Sequence, residues 1–272
     1  MALATIGDMT APPSPTDMTT SAIPIAKPGA IPAVTASQMA EVDRLATDVF
    51  GITLLQMMEQ AGSHLATVAA AELDGELRDR RVLVAVGPGN NGGGGLVAAR
   101  HLVNRGARVR VVLARPARRL SESGRHQLAT LLEMGVSCCM AVYDISDAEI
   151  GAELRDADLV IDAVLGYRGR GAPHDEVGTL IEHVRTAEGH ILSLDMPSGM
   201  DPDSGVAGEL AVRARATMTL ALPKTGLLTE AGRAQSGDLY LADIGLPAAL
   251  YTRIDLAVDA PFAAGRIVRL EG

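Results

Sequence analysis

Aromatic side chains and cysteine are scarce in this 272-residue sequence, which contains no Trp, two Phe, four Tyr and two Cys. Platforms on which nucleic-acid bases could stack are therefore few. The formal net charge of −9, with no basic run to offset it, also disfavours nucleic acid or an anionic membrane as the main partner. The two cysteines, Cys138 and Cys139, are neighbours, so a disulfide framework is excluded and reduced thiols in a cytoplasmic protein are expected.

Long hydrophobic runs are also missing. No apolar segment approaches the length of a membrane span, and the first residues lack the basic start and apolar block of a secretory signal. Because 47% of the residues are hydrophobic, a core of ordinary size can be buried. We expect a disordered leader at 1–33, a single folded domain at 34–250 and a C-terminal tail at 251–272 that contains one short strand.

Strand and helix patterns alternate along the expected domain. Two amphipathic helices precede the first strand, and Thr35 and Gln38 have the spacing of a capping box at the start of the first helix. From residue 81 to residue 194 the alternation is that of a parallel sheet with helices on both faces. Two later apolar runs, Ala216–Leu222 and Leu239–Ala242, are expected to extend one edge of this sheet.

The strongest local signal is the segment RVLVAVGPGNNGGGGLVAAR at 81–100. An apolar strand, Val82–Val86, is followed by a stretch in which six of the nine residues from 87 to 95 are glycine, and helix formers begin at Leu96. Glycine permits positive φ angles and a close approach of the backbone to a ligand. The segment therefore predicts a strand, an anion-binding loop and a helix, with a plain tight turn as the alternative.

Other readings of the same segment are weaker. It satisfies the dinucleotide pattern G-x-G-x-x-G from Gly87, but the next strand is followed by Arg115, Arg118 and Arg119 instead of a ribose-binding acid. These arginines suit either a 2′-phosphate or a solvated loop. A P-loop is excluded because no Gly-Lys-Ser/Thr follows. The six histidines lack metal-ligand spacing, and the absence of a Gly-x-Ser-x-Gly elbow disfavours a serine hydrolase.

Two acidic residues follow apolar runs at the expected ends of strands. Asp162 opens DAVLGYRGRG, and Asp195 opens DMPSGMD. The carboxyl ends of parallel strands meet at one edge of a sheet, so both acids are expected beside the glycine stretch and its Asn90 and Asn91. A solvated turn or a helix cap is the alternative for each acid taken alone. Lys224, in ALPKTGLL, lies just past an apolar run, from where it could point toward this site; a solvated lysine is the reading preferred here.

Several segments together resemble one protein family. They are TASQMAEVDRLATDVFG, LLQMMEQAG, VGPGNNGGGGLVAARHL, DAVLGYRGRG, LDMPSGMDPDSG and KTGLLTEAGRAQSGDLYLADIGLP, in the family's order over roughly 34–247. With these motifs the chain resembles the YjeF N-terminal domain family, whose enzymes are NAD(P)H-hydrate (NAD(P)HX) epimerases. The resemblance implies a Rossmann-like three-layer α/β/α domain, often a homodimer, that interconverts the R and S hydrates of NADH and NADPH. A partner dehydratase then repairs the hydrate.

The resemblance also implies a bound potassium ion and a set of site residues. The positions that match the potassium ligands are Asn91, Asp162 and Ser198. The positions that match substrate contacts are Asn90, Asn91, Gly92, Gly93, Gly94, Gly166, Tyr167, Arg168, Gly169, Arg170, Gly171 and Asp195. Carboxylate, amide and hydroxyl oxygens suit a hard cation. Asp195 is the expected catalytic acid/base, because inversion of the hydrated carbon requires proton transfer near it.

Two departures from the family pattern keep other functions open. The family's loop usually reads GNNGGDG, so Gly94 replaces an acid, and YRGRG carries Arg168 and Arg170 where small or apolar residues are more common. These changes suit a more anionic ligand or a nucleotide-sensing or scaffold domain without turnover. The Arg cluster after the second strand suggests a third hypothesis, an NADP-dependent oxidoreductase. The dehydratase domain often fused to this one in bacteria is not in the sequence, so a separate dehydratase chain is expected.

Overall fold

The computed structural model describes residues 19–26, 29, 31–169, 171–187 and 190–271. Within this part of the chain the strands are β1 (Ile25–Ala26), β2 (Arg81–Val86), β3 (Arg108–Leu113), β4 (Ser137–Met140), β5 (Leu159–Ala163), β6 (His190–Leu194), β7 (Ala216–Leu220), β8 (Asp238–Ala242) and β9 (Ile267–Leu270). The α-helices are α1 (Ala36–Asp48), α2 (Leu54–Glu72), α3 (Asn90–Asn104), α4 (Glu122–Glu133), α5 (Asp147–Asp156), α6 (Asp175–Arg185), α7 (Glu230–Ser236) and α8 (Ala248–Tyr251). Short 3₁₀ turns lie at Thr20–Ala22, Ala117–Arg119, Thr225–Leu228 and Thr252–Ile254.

The described strands form one sheet in the order β1-β9-β8-β7-β6-β5-β2-β3-β4. Neighbouring strands are parallel except β8 and β9, which are antiparallel. The mostly parallel α/β fold is therefore confirmed. Two helices precede the first central strand, β2, as predicted, but the two-residue strand β1 precedes both of them.

Strand β2 is apolar from Val82 to Val86 because both faces of the sheet are covered there. In β2, Val82, Val84 and Val86 pack into a core cluster with residues of α2, α3 and α4. Leu83 and Ala85 point the other way, into a second cluster with residues of α5 and α6. This alternation follows from the two-residue side-chain period of a strand. The result is the three-layer arrangement that the sequence predicts.

The start of α1 is tied to the carboxyl edge of the sheet. The predicted capping box is present, since the Thr35 side chain accepts from the Gln38 amide and the Gln38 side chain accepts from the Thr35 amide. Just before it, the Val34 amide donates to the Pro223 carbonyl at 2.9 Å, and the Thr225 amide donates to the Val34 carbonyl at 2.9 Å. These bonds place α1 beside the segment that carries Lys224.

The predicted glycine loop is mostly helix. Helix α3 begins at Asn90, so the four consecutive glycines at 92–95 lie in its first two turns, and none of them has a positive φ. A Cβ on Gly93 would lie 2.5 Å from Met58 Cε, and a Cβ on Gly95 would lie 2.5 Å from Ala163 Cβ. These glycines therefore permit close packing of α3 against α2 and the sheet. That contact overrides a helix-propensity cost of about 1 kcal/mol per glycine.

The structure describes part of each expected terminal segment. The predicted leader was too long, because Ile25–Ala26 pairs with β9 and Ile23 is buried. In the predicted tail, β9 pairs antiparallel with β8 and parallel with β1, which is the outermost described strand at that edge of the sheet. Residues 1–18, 27, 28, 30 and 272 lie outside the described residues.

Adjacent positions of the edge strand β4 hold the two thiols. Cys139 is buried and Cys138 is half-buried. Burial raises the pKa of the Cys138 thiol to about 11. No helix among the described residues is both long and apolar enough to cross a bilayer.

A pair of glycine substitutions tests the close-packing role of the α3 glycines. We expect Gly95→Ala to lower the free energy of unfolding by about 1–3 kcal/mol, because the new Cβ meets the rigid Ala163 side chain at 2.5 Å. Gly151→Ala in α5 is the matched control. Its new Cβ meets only the flexible end of Arg155 at 3.3 Å, so a gain of up to about 1 kcal/mol is expected. Urea unfolding measures both, and equal stabilisation by the two changes would rule out the packing role.

Candidate functional site

A cavity of about 410 Å³ opens at the carboxyl edge of the sheet. Its walls come from α1, α2, the first turns of α3 and the segment 164–169. Apolar side chains such as Met39, Met57 and Met58 line much of it, and a small number of polar groups converge on its floor and its mouth. A mostly apolar cleft with a few placed polar groups is typical of a small-molecule site.

The floor of the cavity carries a buried ion pair. Lys224 Nζ lies 2.5 Å from Asp195 Oδ1, and the side chains are only 1% and 5% exposed. The same ammonium donates to Thr219 Oγ1 and to the Leu220 carbonyl, each at 3.2 Å. Two such charges in a water-poor interior depend on each other, because either one alone would be an uncompensated buried charge.

Asp195 itself is held in an unusual backbone conformation. It follows β6 directly and has φ = 67°, in the left-handed region that non-glycine residues rarely adopt. Its amide donates to the Met218 carbonyl of β7 at 2.8 Å. Strain of this kind is often found at functional positions, where the surrounding structure fixes it. Here it directs the carboxylate toward Lys224 and the cavity.

Tyr167 connects this floor to the mouth of the cavity. Its backbone amide donates to Asp195 Oδ2 at 2.8 Å, and its ring centroid lies 5.5 Å from Lys224 Nζ. Its hydroxyl donates to Asp43 Oδ2 of α1 at 2.5 Å. Burial and the nearby Asp43 charge raise the pKa of the Tyr167 hydroxyl well above its usual range, so it remains a hydrogen-bond donor.

An ion pair also lies at the mouth. Arg168 Nη2 is 2.9 Å from Asp43 Oδ2, and Arg168 Nε donates to the Tyr167 hydroxyl at 2.8 Å. The Arg168 side chain is 61% exposed, in contrast to the buried Lys224. Arg168 and Asp43 thus join the 164–169 segment to α1 across the cavity.

Asp162 lies beneath the cavity and is fully buried. Its carboxylate accepts from the Ser198 hydroxyl at 2.6 Å, the Ser193 hydroxyl at 2.8 Å, the Ser198 amide at 2.9 Å and the Val164 amide at 3.3 Å. Burial raises its pKa, and the bonds from Ser198 and Ser193 oppose that rise. All of these donors are uncharged, so no basic group among them compensates the charge of the carboxylate.

Asn91 and Gly166 lie together above this layer. A Cβ on Gly166 would lie 2.8 Å from Asp195 Oδ2 and 3.2 Å from Asn91 Oδ1, so glycine is needed for both groups to approach the backbone. Asn91 Nδ2 is buried and has no hydrogen-bond partner among the described residues. The amide, Asp195 and the 164–169 segment therefore converge on one point, as the sequence predicts for strand-end residues.

The remaining predicted substrate contacts are distributed unevenly. Asn90, Gly94, Gly166 and Gly169 line the cavity, whereas Gly92 and Gly93 are buried behind it. Gly171 lines a second cavity, of about 560 Å³, on the other side of the same segment. Arg170 lies outside the described residues. The functional roles of all these residues stay predictions.

Two contributors were missed or misjudged at the sequence level. Lys224 was expected to be solvated, but it is buried because it pairs with Asp195. Asp43 was not singled out within its quoted segment, since in the sequence it looks like an ordinary polar residue of α1. For Lys224 a clue was available, because it comes shortly after an apolar run that ends at the same edge of the sheet as Asp195.

The arginines after β3 do not line the cavity. Arg115 makes ion pairs with Asp175 and Glu176 at the start of α6, and Arg118 and Arg119 are exposed in a 3₁₀ turn. These contacts are those of a surface loop, the alternative that the sequence analysis gave to a 2′-phosphate site.

The buried ion pair generates a double-mutant test. We expect Lys224→Met to destabilise the protein by about 3–5 kcal/mol, because Asp195 loses its only buried cationic partner among the described residues. Asp195→Asn is expected to cost a comparable amount. The double variant should cost clearly less than the sum of the two, when unfolding is followed by urea denaturation. Additive losses would show that the two charges do not stabilise each other.

Comparisons with known proteins agree with this architecture. The family model described as YjeF-related protein N-terminus matches residues 54–226. A protein named NAD(P)H-hydrate epimerase from Dehalogenimonas lykanthroporepellens is 43% identical over 242 residues, which are 89% of this chain and 94% of that protein. A protein of the same name from Pirellula staleyi is 36% identical, covering 79% of this chain and 92% of its own.

Other relatives are longer. A protein named bifunctional NAD(P)H-hydrate repair enzyme Nnr from Moorella thermoacetica is 36% identical over 79% of this chain, which spans 40% of that protein. Among solved structures, the crystal structure of the yeast protein ynu0 superposes with a TM-score of 0.75 at 24% identity, over 88% of this chain and all of the yeast chain. That likeness concerns the fold. From the family model and the long matches to these relatives, we conclude that this chain belongs to the YjeF N-terminal domain family.

Proposed function

We propose that this protein is an NAD(P)H-hydrate epimerase, an isomerase that interconverts the R and S forms of hydrated NADH and NADPH. The proposal is carried by the long match to named relatives taken together with the geometry of the cavity. Relatives that bear this name match nearly their whole length, and the floor of the cavity of this chain is lined by a held carboxylate, Asp195. A carboxylate at the closed end of an apolar cleft is suited to proton transfer on a bound ring.

The chemistry of the substrate defines what the site must do. The hydrated ring carbon carries a hydroxyl group and is bonded to the ring nitrogen. When the hydroxyl loses its proton and the nitrogen gains one, the carbon–nitrogen bond breaks and an aldehyde forms. Rotation and closure reverse both transfers and invert the carbon. No electrons and no net protons are consumed, so one group that accepts and returns a proton suffices.

Asp195 is our candidate for that group. Its Oδ1 accepts a hydrogen bond from Lys224 Nζ, and its Oδ2 accepts one from the Tyr167 amide. Each carboxylate oxygen has a second lone pair. Lys224 and the Tyr167 amide fix the orientation of the carboxylate, and Asp195 lines the cavity. The apolar walls from α1 and α2 exclude water from the ring. Asn90 and Asn91 supply amide groups that can orient its carboxamide.

A potassium ion remains a proposal for the layer beneath the cavity. Asp162 is a buried carboxylate whose partners are all uncharged, and the Ser198 hydroxyl contacts it. Asn91 offers an amide oxygen in the layer above, beside Gly166. Of these three candidate ligands only Asp162 carries a charge, and the hydroxyl and amide oxygens are neutral, so a monovalent ion fits this set. When bound, potassium would supply positive charge beneath the floor.

Gly94 keeps one alternative open, a domain of the same family that binds nucleotides without turnover. A Cβ at this position would lie 2.8 Å from Leu194 Cδ2, so an acidic side chain would require Leu194 to move. The floor of this chain is therefore shaped around glycine. We nevertheless favour catalysis, because the proton-transfer group in our mechanism is Asp195. A dehydratase on a separate chain and a homodimer both stay predictions.

The decisive assay mixes the purified protein with the R hydrate of NADH and follows formation of the S hydrate by chromatography. We expect conversion much faster than the spontaneous reaction. Asp195→Asn should reduce turnover by about 100-fold or more, the usual contribution of acid–base catalysis. Asp238→Asn, which alters an exposed ion pair at the amino end of β8, is the matched control and should retain full activity. A wild-type conversion rate equal to the spontaneous rate would contradict the proposal. If such an inactive protein still bound the nucleotide, the non-catalytic alternative would be favoured.

The ion proposal is tested by thermal unfolding in potassium chloride and in choline chloride at equal ionic strength. Potassium should raise the melting temperature of the wild type by several degrees, since a ligand that binds only the folded state stabilises it. Asp162→Asn should abolish the difference between the two salts. Equal melting temperatures for the wild type in both salts would count against a bound potassium ion.

A further inference from the structure

The charged side chains that line the cavity form two pairs of opposite sign. Among the described residues they are Asp195 with Lys224 at the floor and Asp43 with Arg168 at the mouth. The floor pair is almost fully buried, whereas Arg168 is 61% exposed. An exposed ion pair is weak because water screens it, so its partners can exchange at low cost. The mouth pair is therefore the labile one.

The Arg168 guanidinium has N–H donors beyond those that bond Tyr167 and Asp43. It has five N–H groups, and its recorded bonds within the described residues use Nε, to the Tyr167 hydroxyl, and Nη2, to Asp43. Its planar fork matches two oxygens of a phosphate group. The Tyr167 ring lies beneath it, with the guanidinium carbon 5.5 Å from the ring centroid, and holds the side chain at the mouth.

A dinucleotide would bring phosphate to this place. If the hydrated ring reaches Asp195 at the floor, a cavity of about 410 Å³ leaves the pyrophosphate and the second nucleoside outside, past the mouth. This step rests on the proposed function. In the free protein Arg168 Nη2 is paired with Asp43 Oδ2, and a carboxylate, like a phosphate, is an anionic hydrogen-bond acceptor.

We infer that Arg168 exchanges its ion pair with Asp43 for a phosphate group of the bound nucleotide, and that Asp43 is an intramolecular competitor that sets the affinity. The two residues are thus specificity determinants contributed by α1 and by the 164–169 segment. Arg168 selects an anionic ligand, and Asp43 keeps the arginine in place and neutralised until that ligand arrives. No covalent step is involved.

Calorimetric titration of the full chain with ADP-ribose at low salt tests the exchange without relying on turnover. Asp43→Asn keeps an acceptor for the Tyr167 hydroxyl and removes the competing charge, so binding should tighten about 2–5-fold. Arg168→Gln should weaken binding about tenfold, the effect of losing a charge-assisted hydrogen bond. In the Arg168→Gln background, Asp43→Asn should have no effect, because Asp43 acts through the arginine.

The matched control is Asp79→Asn, which breaks an exposed ion pair with Arg108 at the opposite end of the sheet and should leave the affinity unchanged. A parallel titration with 2′-phospho-ADP-ribose identifies the phosphate, since a larger Arg168→Gln effect with this probe assigns the contact to the 2′-phosphate. Unchanged affinity in both Asp43→Asn and Arg168→Gln overturns the inference. It is also overturned if Asp43→Asn tightens binding in the Arg168→Gln background, or if the wild type binds neither probe. The epimerase assay on the same samples separates the two ideas: activity with unaltered binding refutes only the exchange, and altered binding without activity refutes only the epimerase.

Discussion

The ion pair between Asp195 and Lys224 is the constraint on which the functional edge of this molecule depends. Two opposite charges 2.5 Å apart and almost without solvent contact require a fixed frame, because either charge alone would be unstable there. That frame comes from the left-handed turn at Asp195, from Thr219 and Leu220 at the end of β7, and from the Tyr167 amide. The pair is therefore a product of two strand ends and one connecting segment.

The close approach of α3 to the sheet complements this frame. Glycines in its first turns allow the helix to lie against α2 and β5, and that position brings Asn91 next to Gly166 and Asp195. The glycines that resemble a phosphate loop in the sequence thus allow close helix packing in the fold. The bond network then continues outward through Tyr167 to Asp43 and Arg168, so α1 is coupled to the floor of the cavity.

The sequence predicted the fold and the edge of the sheet that carries the site. Alternating apolar runs and helical patterns are local properties, and strand-end acids such as Asp162 and Asp195 lie where parallel topology requires. The glycine run misled because local propensity favours a loop there, while tertiary packing favours a helix. Its helical start at Asn90 depends on neighbours in α2 and β5 that no local window contains.

The pairs of residues within the site could not be predicted from local sequence patterns, because the partners are far apart in the sequence. Lys224 and Asp195 are 29 residues apart, and Asp43 and Tyr167 are 124 residues apart, so their contacts exist only after the chain has folded. A solitary lysine or aspartate in a sequence looks like a solvated residue, which is the usual environment of both. The short strand β1 escaped prediction because two residues cannot display a period.

The most direct test of the central claim is a crystal structure of the Asp195→Asn variant bound to the hydrate of NADH. The proposed mechanism requires the hydroxyl of the hydrated ring carbon to lie within about 3.2 Å of the substituted side chain at the floor of the cavity, the reach of a hydrogen bond for proton transfer. A complex in which the hydrated ring lies outside the cavity, or in which the adenine occupies the floor, would contradict it.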